Sequence, residues 1–219
     1  TGKGNSKEIK TKAVLARTNL GLLLKAIEYV TEKKKVKHIY FEGNINSYTY
    51  ADEGASLYDV LNLYNEKHHL IKDKLIKAMK DLDELEDYIE KTEDVQLAMM
   101  VEIVKEYGNK IPDIIKAIKE KHVDNDDKEK AEMIFSTVHR CKGMEYDAIQ
   151  LVNDFISEEK LEKLKEDKKA EEINATKLNE EINLLYVAVT RTKNSIHIPA
   201  PLMPSEFPKS SQIHAKTLS

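Results

Sequence analysis

An α/β fold with a parallel sheet and an all-helical insertion is predicted by three features of the 219-residue chain. These are a strand, helix, strand opening, a middle third with helical periodicity alone, and a return of apolar strand segments near the C-terminal end. Residues 13–17 (A-V-L-A-R) form a short apolar run without a breaker, Thr18 and Asn19 are suited to cap a helix, and 20–33 has helical spacing through Leu23, Ile27 and Val30. A second strand is expected at 37–42 (K-H-I-Y-F-E), closed by a turn at Gly43-Asn44.

From about residue 55 to 122 the pattern is helical, with stretches at Leu57–Tyr64, Leu70–Met79, Leu82–Ile89, Val95–Tyr107 and Ile111–Lys121. Gly108 and Pro112 separate the last two as a C-terminal stop and a first-turn proline. The acidic linker Asp124-Asn125-Asp126-Asp127 leads to strands at 132–138 and 147–153, apolar enough to be buried on both faces. A Glu/Lys-dense stretch over 157–169 reads as a solvated helix, a strong helix runs from Asn179 to Thr190, and Ser195–Ile198 is a last short strand. The chain therefore divides into 1–52 and 128–200, two pieces of one α/β domain, a helical insertion at 53–127, and a proline-containing tail at 201–219 expected to be disordered.

A hydrophobic fraction of 41% supports a packed core. No apolar run approaches the roughly 20 residues of a membrane span, and the opening T-G-K-G-N-S-K-E lacks a signal core. The expectation is a soluble, intracellular protein with no membrane partner, cytoplasmic and nucleoid-associated in a bacterium. One cysteine, Cys141, excludes an internal disulfide and a cysteine-cluster metal site. A net charge of −4 gives no global footprint for nucleic acid, so any such contact must be local. Among 35 basic residues only Arg17, Arg140 and Arg191 are arginine, which raises the question of whether the planar bidentate fork is needed there.

The most specific string, Thr137-Val138-His139-Arg140-Cys141-Lys142-Gly143-Met144-Glu145-Tyr146-Asp147, sits between two predicted strands, where α/β sheets bind ligands. Thr137 and His139 can bond phosphate oxygens, Gly143 permits close backbone approach, and Glu145 can accept from a ribose hydroxyl or orient a cation. The alternative is a polar loop with a lone histidine. In the second string, N-E-E-I-N-L-L-Y-V-A-V-T-R-T-K from Asn179, the asparagine suits an N-cap and Arg191 with Lys193 suits the negative helix end. Arg191 can equally be an arginine finger aimed at a phosphoryl group.

These strings, with the opening A-V-L-A-R-T-N, resemble the later motifs of UvrD/Rep-type superfamily 1 DNA helicases: T-x-H-x-A-K-G-L-E-F, L-L-Y-V-A-x-T-R-A and the R-T-N strand end. The middle of the chain resembles the F-box DNA helicase branch of that group, in I-K-D-K-L-I from Ile71, V-E-I-V-K-E-Y-G-N-K-I-P from Val101 and V-N-D-F from Val152, although no F-box is present. The resemblance implies a RecA-like domain, the second of two that close on ATP and Mg²⁺. It implies that Arg191 contacts the γ-phosphate as the catalytic cation and Glu145 the ribose, with Lys142 and Gly143 beside the nucleotide. Thr137, His139, Arg17 and Asn19 would face single-stranded DNA. Arg140 occupies a variable position with only phosphate contact open to it. Cys141, Met144, Tyr146 and Thr192 depart from the family pattern without removing a chemical group.

The chain has no G-x-x-x-x-G-K-S/T, and Asp83-Glu84, on an amphipathic helix, is no magnesium pair. The expectation is therefore the C-terminal part of an ATP-dependent 3′→5′ DNA helicase in repair or recombination, an ATP hydrolase only with an N-terminal ATPase domain of the same protein and inactive alone. The other reading is a stand-alone helicase-like regulatory module without ATPase activity. His68-His69 lacks metal-ligand partners and reads as a helix surface, and no metal site is expected. Lys33-Lys34-Lys35 reads as a solvated helix end or a DNA-backbone contact, and Tyr48 and Tyr50 as strand-edge residues or base-stacking platforms.

Overall fold

The computed structural model describes residues 9–32, 36–159, 161–162 and 175–203. Five parallel strands, β1 (Lys12–Ala16), β2 (Ile39–Phe41), β3 (Met133–Thr137), β4 (Tyr146–Leu151) and β5 (Thr192–His197), form one sheet in the order β2-β3-β1-β4-β5. The α/β class read from the sequence is the one observed. β1 is central and buried from Ala13 to Ala16, as a strand covered on both faces must be, whereas edge strand β5 alternates between half-buried and exposed residues. Ala16 stands opposite Thr137 and Leu15 opposite Leu151, so the carboxyl ends of β3, β1 and β4 lie side by side.

One face of the sheet is covered by α1 (Asn19–Glu32) and by the five helices inserted between β2 and β3: α2 (Leu57–Tyr64), α3 (Lys74–Ala78), α4 (Leu82–Thr92), α5 (Val95–Tyr107) and α6 (Ile111–Lys121). Their ends are set locally by caps. The side chains of Ser56, Asp73, Asp81 and Asp94 accept from backbone N–H groups of the first turns of α2, α3, α4 and α5. Gly108, at φ +49°, ends α5, and Pro112 lies in the first turn of α6. The other face is covered by the 138–145 connection and by α7 (Ala175–Val189), which buries Leu184 and Ala188.

Several expectations are corrected. The stretch Leu70–Met79 is two pieces, a 3₁₀ turn at His68–Leu70 and the separate helix α3, because Asp59 draws the backbone N–H groups of Lys72 and Asp73 out of helical register. Asn179 lies inside α7 and is not its N-cap, and β5 begins at Thr192, three residues before the expected strand. Tyr48 is neither a strand edge nor a stacking platform. It is fully buried in a 3₁₀ turn against Phe41, its hydroxyl donating to the Glu42 carbonyl at 2.6 Å, and burial pushes its pKa up to about 12. Tyr50 is exposed and bridged to Ser56. A 3₁₀ turn at Ala200–Leu202 buries Leu202 against α7's side of the sheet. The Lys33–Lys35 run, most of the 157–169 stretch and residues 204–219 lie outside the described residues.

His122, at the end of α6, holds the insertion to β2. The Phe41 N–H donates to its Nδ1 at 3.2 Å, and the ring lies 5.5 Å from that of Tyr40. Burial pushes the imidazole below its ordinary value of 6.5, with Asp124 only partly opposing it. The native state thus binds this proton less readily than the unfolded chain. The stability from neutral His122 is present above 6.5 and is lost as pH falls through the depressed native value. Urea midpoints should therefore fall as pH drops below 6.5, and His122→Gln should flatten part of that slope. Identical pH profiles for the two proteins would exclude this role.

Candidate functional site

At the carboxyl edge of the sheet, β1 is followed by Arg17 and turns directly into α1. Thr18 caps that helix, its Oγ1 accepting from the Gly21 N–H at 3.0 Å. The turn is held from β4's side by Asp154, whose carboxylate accepts from Arg17 N–H (2.9 Å), Thr18 N–H (2.8 Å) and Thr18 Oγ1 (2.8 Å). Burial pushes the Asp154 carboxyl up, against the pull of these three donors. Gly21 is required by this approach, since a Cβ there would lie 2.4 Å from the Asp154 carboxylate. The Arg17 guanidinium meets Glu181, on α7, through Nε (2.9 and 3.1 Å) and Nη2 (2.8 Å), and this bond reinforces its charge against partial burial.

Thr137 ends β3 at the same edge. It is only 7% exposed, and its carbonyl accepts from the N–H groups of Arg140 and Cys141, which turn the chain back over the sheet. His139 is exposed, and burial, Arg17 and Lys142 together lower its pKa, so it is biased toward the neutral imidazole. Asn19, half-buried, opens α1. The structure thus brings Arg17, Asn19, Thr137 and His139 to one sheet edge, from the adjacent strands β1 and β3.

Arg140 is tied to the end of β2. Its Nη1 donates to the Glu42 carbonyl at 2.6 Å and lies 3.3 Å from the Tyr48 hydroxyl. Gly43, at φ +89°, makes room for it, because a Cβ there would fall 2.3 Å from Nη1. Beneath, Lys128 pairs with the Glu42 carboxylate. This arginine therefore locks the β3–β4 connection to the end of β2.

The second group lies at the opposite, amino-terminal edge, where the connection descends to β4 and α7 hands over to β5. The Tyr146 N–H donates to the Arg191 carbonyl at 2.9 Å. The Arg191 guanidinium folds over its own helix end, Nε donating to the Val187 carbonyl (3.2 Å), Nη2 to Thr190 Oγ1 (3.2 Å) and Nη1 reaching toward the Met144 carbonyl (3.5 Å). Among the described residues all its partners are neutral, in contrast to Arg17. Glu145 is exposed and 3.8 Å from Lys193 Nζ. Lys142 is exposed, and Gly143 adopts φ +81° with open space around it, so its backbone conformation, not crowding, requires glycine. Cys141 is buried with its pKa raised by burial, which makes it an inert thiol.

The sequence model of the UvrD-like helicase C-terminal domain matches residues 10–200. The chain belongs to that family. Its RecA-like sheet is the one described above. A curated relative, F-box DNA helicase 1 of Gallus gallus, is 27% identical over 192 residues, 84% of this chain and 18% of the relative. The chain thus spans about a fifth of the length of that curated relative. Among the described residues the helicase domain holds no cluster of three or more metal-ligating side chains and no helix long and apolar enough to cross a membrane.

The pairing roles of two residues in this helicase domain went unread in the sequence. Asp154, within V-N-D-F, stands three residues past the apolar strand β4, where polar side chains of α/β sheets collect, and that placement is the signal for its role. Glu181 lies within the second motif string, but its pairing with Arg17, 164 positions away, left no local signal.

Proposed function

We propose that this helicase domain is the C-terminal motor half of an ATP-dependent 3′→5′ DNA translocase acting in repair or recombination. Arg191 would serve as its arginine finger, and Arg17, Asn19, Thr137 and His139 would line its single-stranded DNA contact. The observation that carries this reading is the Arg191 guanidinium, whose hydrogen-bond partners among the described residues are all neutral, the Met144 carbonyl next to Glu145 in the chain being one of them. A cation with only neutral partners at an open edge is suited to an anion brought by a facing domain, and the fork of its N–H groups matches phosphate oxygens.

ATP with Mg²⁺, held by a partner domain bearing the phosphate-binding loop, would supply the driving free energy when bound. This chain's residues do the rest. Arg191 leaves the Val187 carbonyl to meet the phosphate, and Glu145 accepts from a ribose hydroxyl. Met144 and Glu145 are joined to His139 by the short 138–145 connection, which would couple the two edges, with Arg140 holding its middle to the end of β2. At the far edge a phosphate competes with Glu181 for Arg17, a switch between two anions that suits alternating grip and release.

The test is DNA-stimulated ATP turnover, measured for this chain alone, for a polypeptide that joins it to a domain with the phosphate-binding loop, and for that domain alone. Turnover only in the joined protein supports the reading. Turnover by the loop-bearing domain alone at the joined rate would overturn it.

A further inference from the structure

A groove of about 690 Å³ runs between α1, α4 and α5, on the helical side of the molecule, apart from both edges of the site. Its floor is apolar, formed by Leu24, Ile89, Ala98, Val101 and part of Tyr107. Its rim is acidic: Glu28, Glu86, Glu90, Glu102 and Glu106. Lys25 answers Glu28 at 2.6 Å and Lys105 answers Glu86 at 2.5 Å. Glu90, Glu102 and Glu106 have no cation partner among the described residues.

We infer that this groove docks a basic amphipathic helix of a partner protein, with leucine-like side chains on the floor and lysine or arginine against the rim. The charge pattern selects the occupant. An apolar floor alone would accept any hydrophobic stripe, but three carboxylates around it without a cation partner among the described residues repel acidic segments and are stabilised by cations set at helical spacing. Nucleic acid and anionic membrane surfaces are disfavoured by the same charges. A second copy in the same groove would set acidic rim against acidic rim. The dimensions suit a helix as well: from Ala98 to Tyr107 along α5 the groove is about 14 Å long at 1.5 Å per residue, room for nearly three turns of ligand.

The probe is a fluorescein-labelled model peptide of leucine and lysine with a leucine stripe at helical spacing. Its controls are the peptide with glutamate in place of lysine and one of the same composition with the stripe scrambled. The full chain should bind the lysine peptide saturably and neither control. The variant Glu90→Gln/Glu102→Gln/Glu106→Gln should raise the dissociation constant about tenfold, with thermal midpoint and single-stranded DNA affinity unchanged. No saturable binding, equal binding by either control, or equal affinity for the triple variant would overturn the inference. So would a self-association of the chain that the triple variant abolishes, since that would make a second copy the occupant.

Discussion

Arg191→Ala, placed in a helicase polypeptide that also carries the phosphate-binding loop, should lower ATP turnover by about 10³-fold while single-stranded DNA binding is retained. The reasoning rests on the guanidinium's surroundings. Val187, Thr190 and Met144 offer it only neutral acceptors, so among the described residues its charge has no anionic partner. The same side chain also neutralises the carbonyl end of α7, a role worth about 0.3–1 kcal/mol at a helix terminus. The two roles separate by measurement. Loss of the helix-end contact alone would appear as a small drop in thermal midpoint with turnover preserved, and that outcome would sink the finger assignment. Arg191→Lys keeps the charge but loses the fork, so it should restore the thermal midpoint more fully than the turnover.

Asp154→Ala should destabilise the chain by about 2 kcal/mol, since it leaves the Arg17 and Thr18 N–H groups without their acceptor in a part-buried turn. The effect should extend to function, because this turn aims Arg17 at the carboxyl edge and starts α1. Single-stranded DNA affinity should therefore fall together with the urea midpoint. Asp154→Asn keeps one acceptor oxygen and the side chain's shape, so it should recover part of both. Gly21→Ala should resemble Asp154→Ala, because the added methyl displaces the same carboxylate. An unchanged urea midpoint in Asp154→Ala would show that the turn is held by other contacts.

What the sequence made legible was local. The limits of α2, α5 and α6 coincide with those read from periodicity, because Ser56, Asp94, Gly108 and Pro112 set helix ends through bonds within a turn or two of themselves. The motif strings likewise led to both sheet edges. The unread parts depend on partners far along the chain. Only a phosphate contact was legible for Arg140 because its acceptors, the Glu42 carbonyl and Tyr48 hydroxyl, lie 98 and 92 positions away. Asp59 broke the helix read over Leu70–Met79 through bonds to residues 13 and 14 positions on, outside any helical period. Strand order was equally invisible, since nothing in the apolar runs of β1 and β3 says that they are neighbours.

The order β2-β3-β1-β4-β5 has a consequence for how the chain acquires its shape during synthesis. β1 and β2 emerge first, yet neither pairs with the other, and the strand that belongs between them arrives only after the whole helical insertion has been made. Until then both edges of β1 are unpaired and its apolar faces depend on α1. Such long-range closure is slow and leaves the early segment open to aggregation. The inserted helices, packed on α1, can form by local contacts in that interval. They would hold open the slot into which β3 later fits, a scaffold for assembly as well as a cover for the finished sheet.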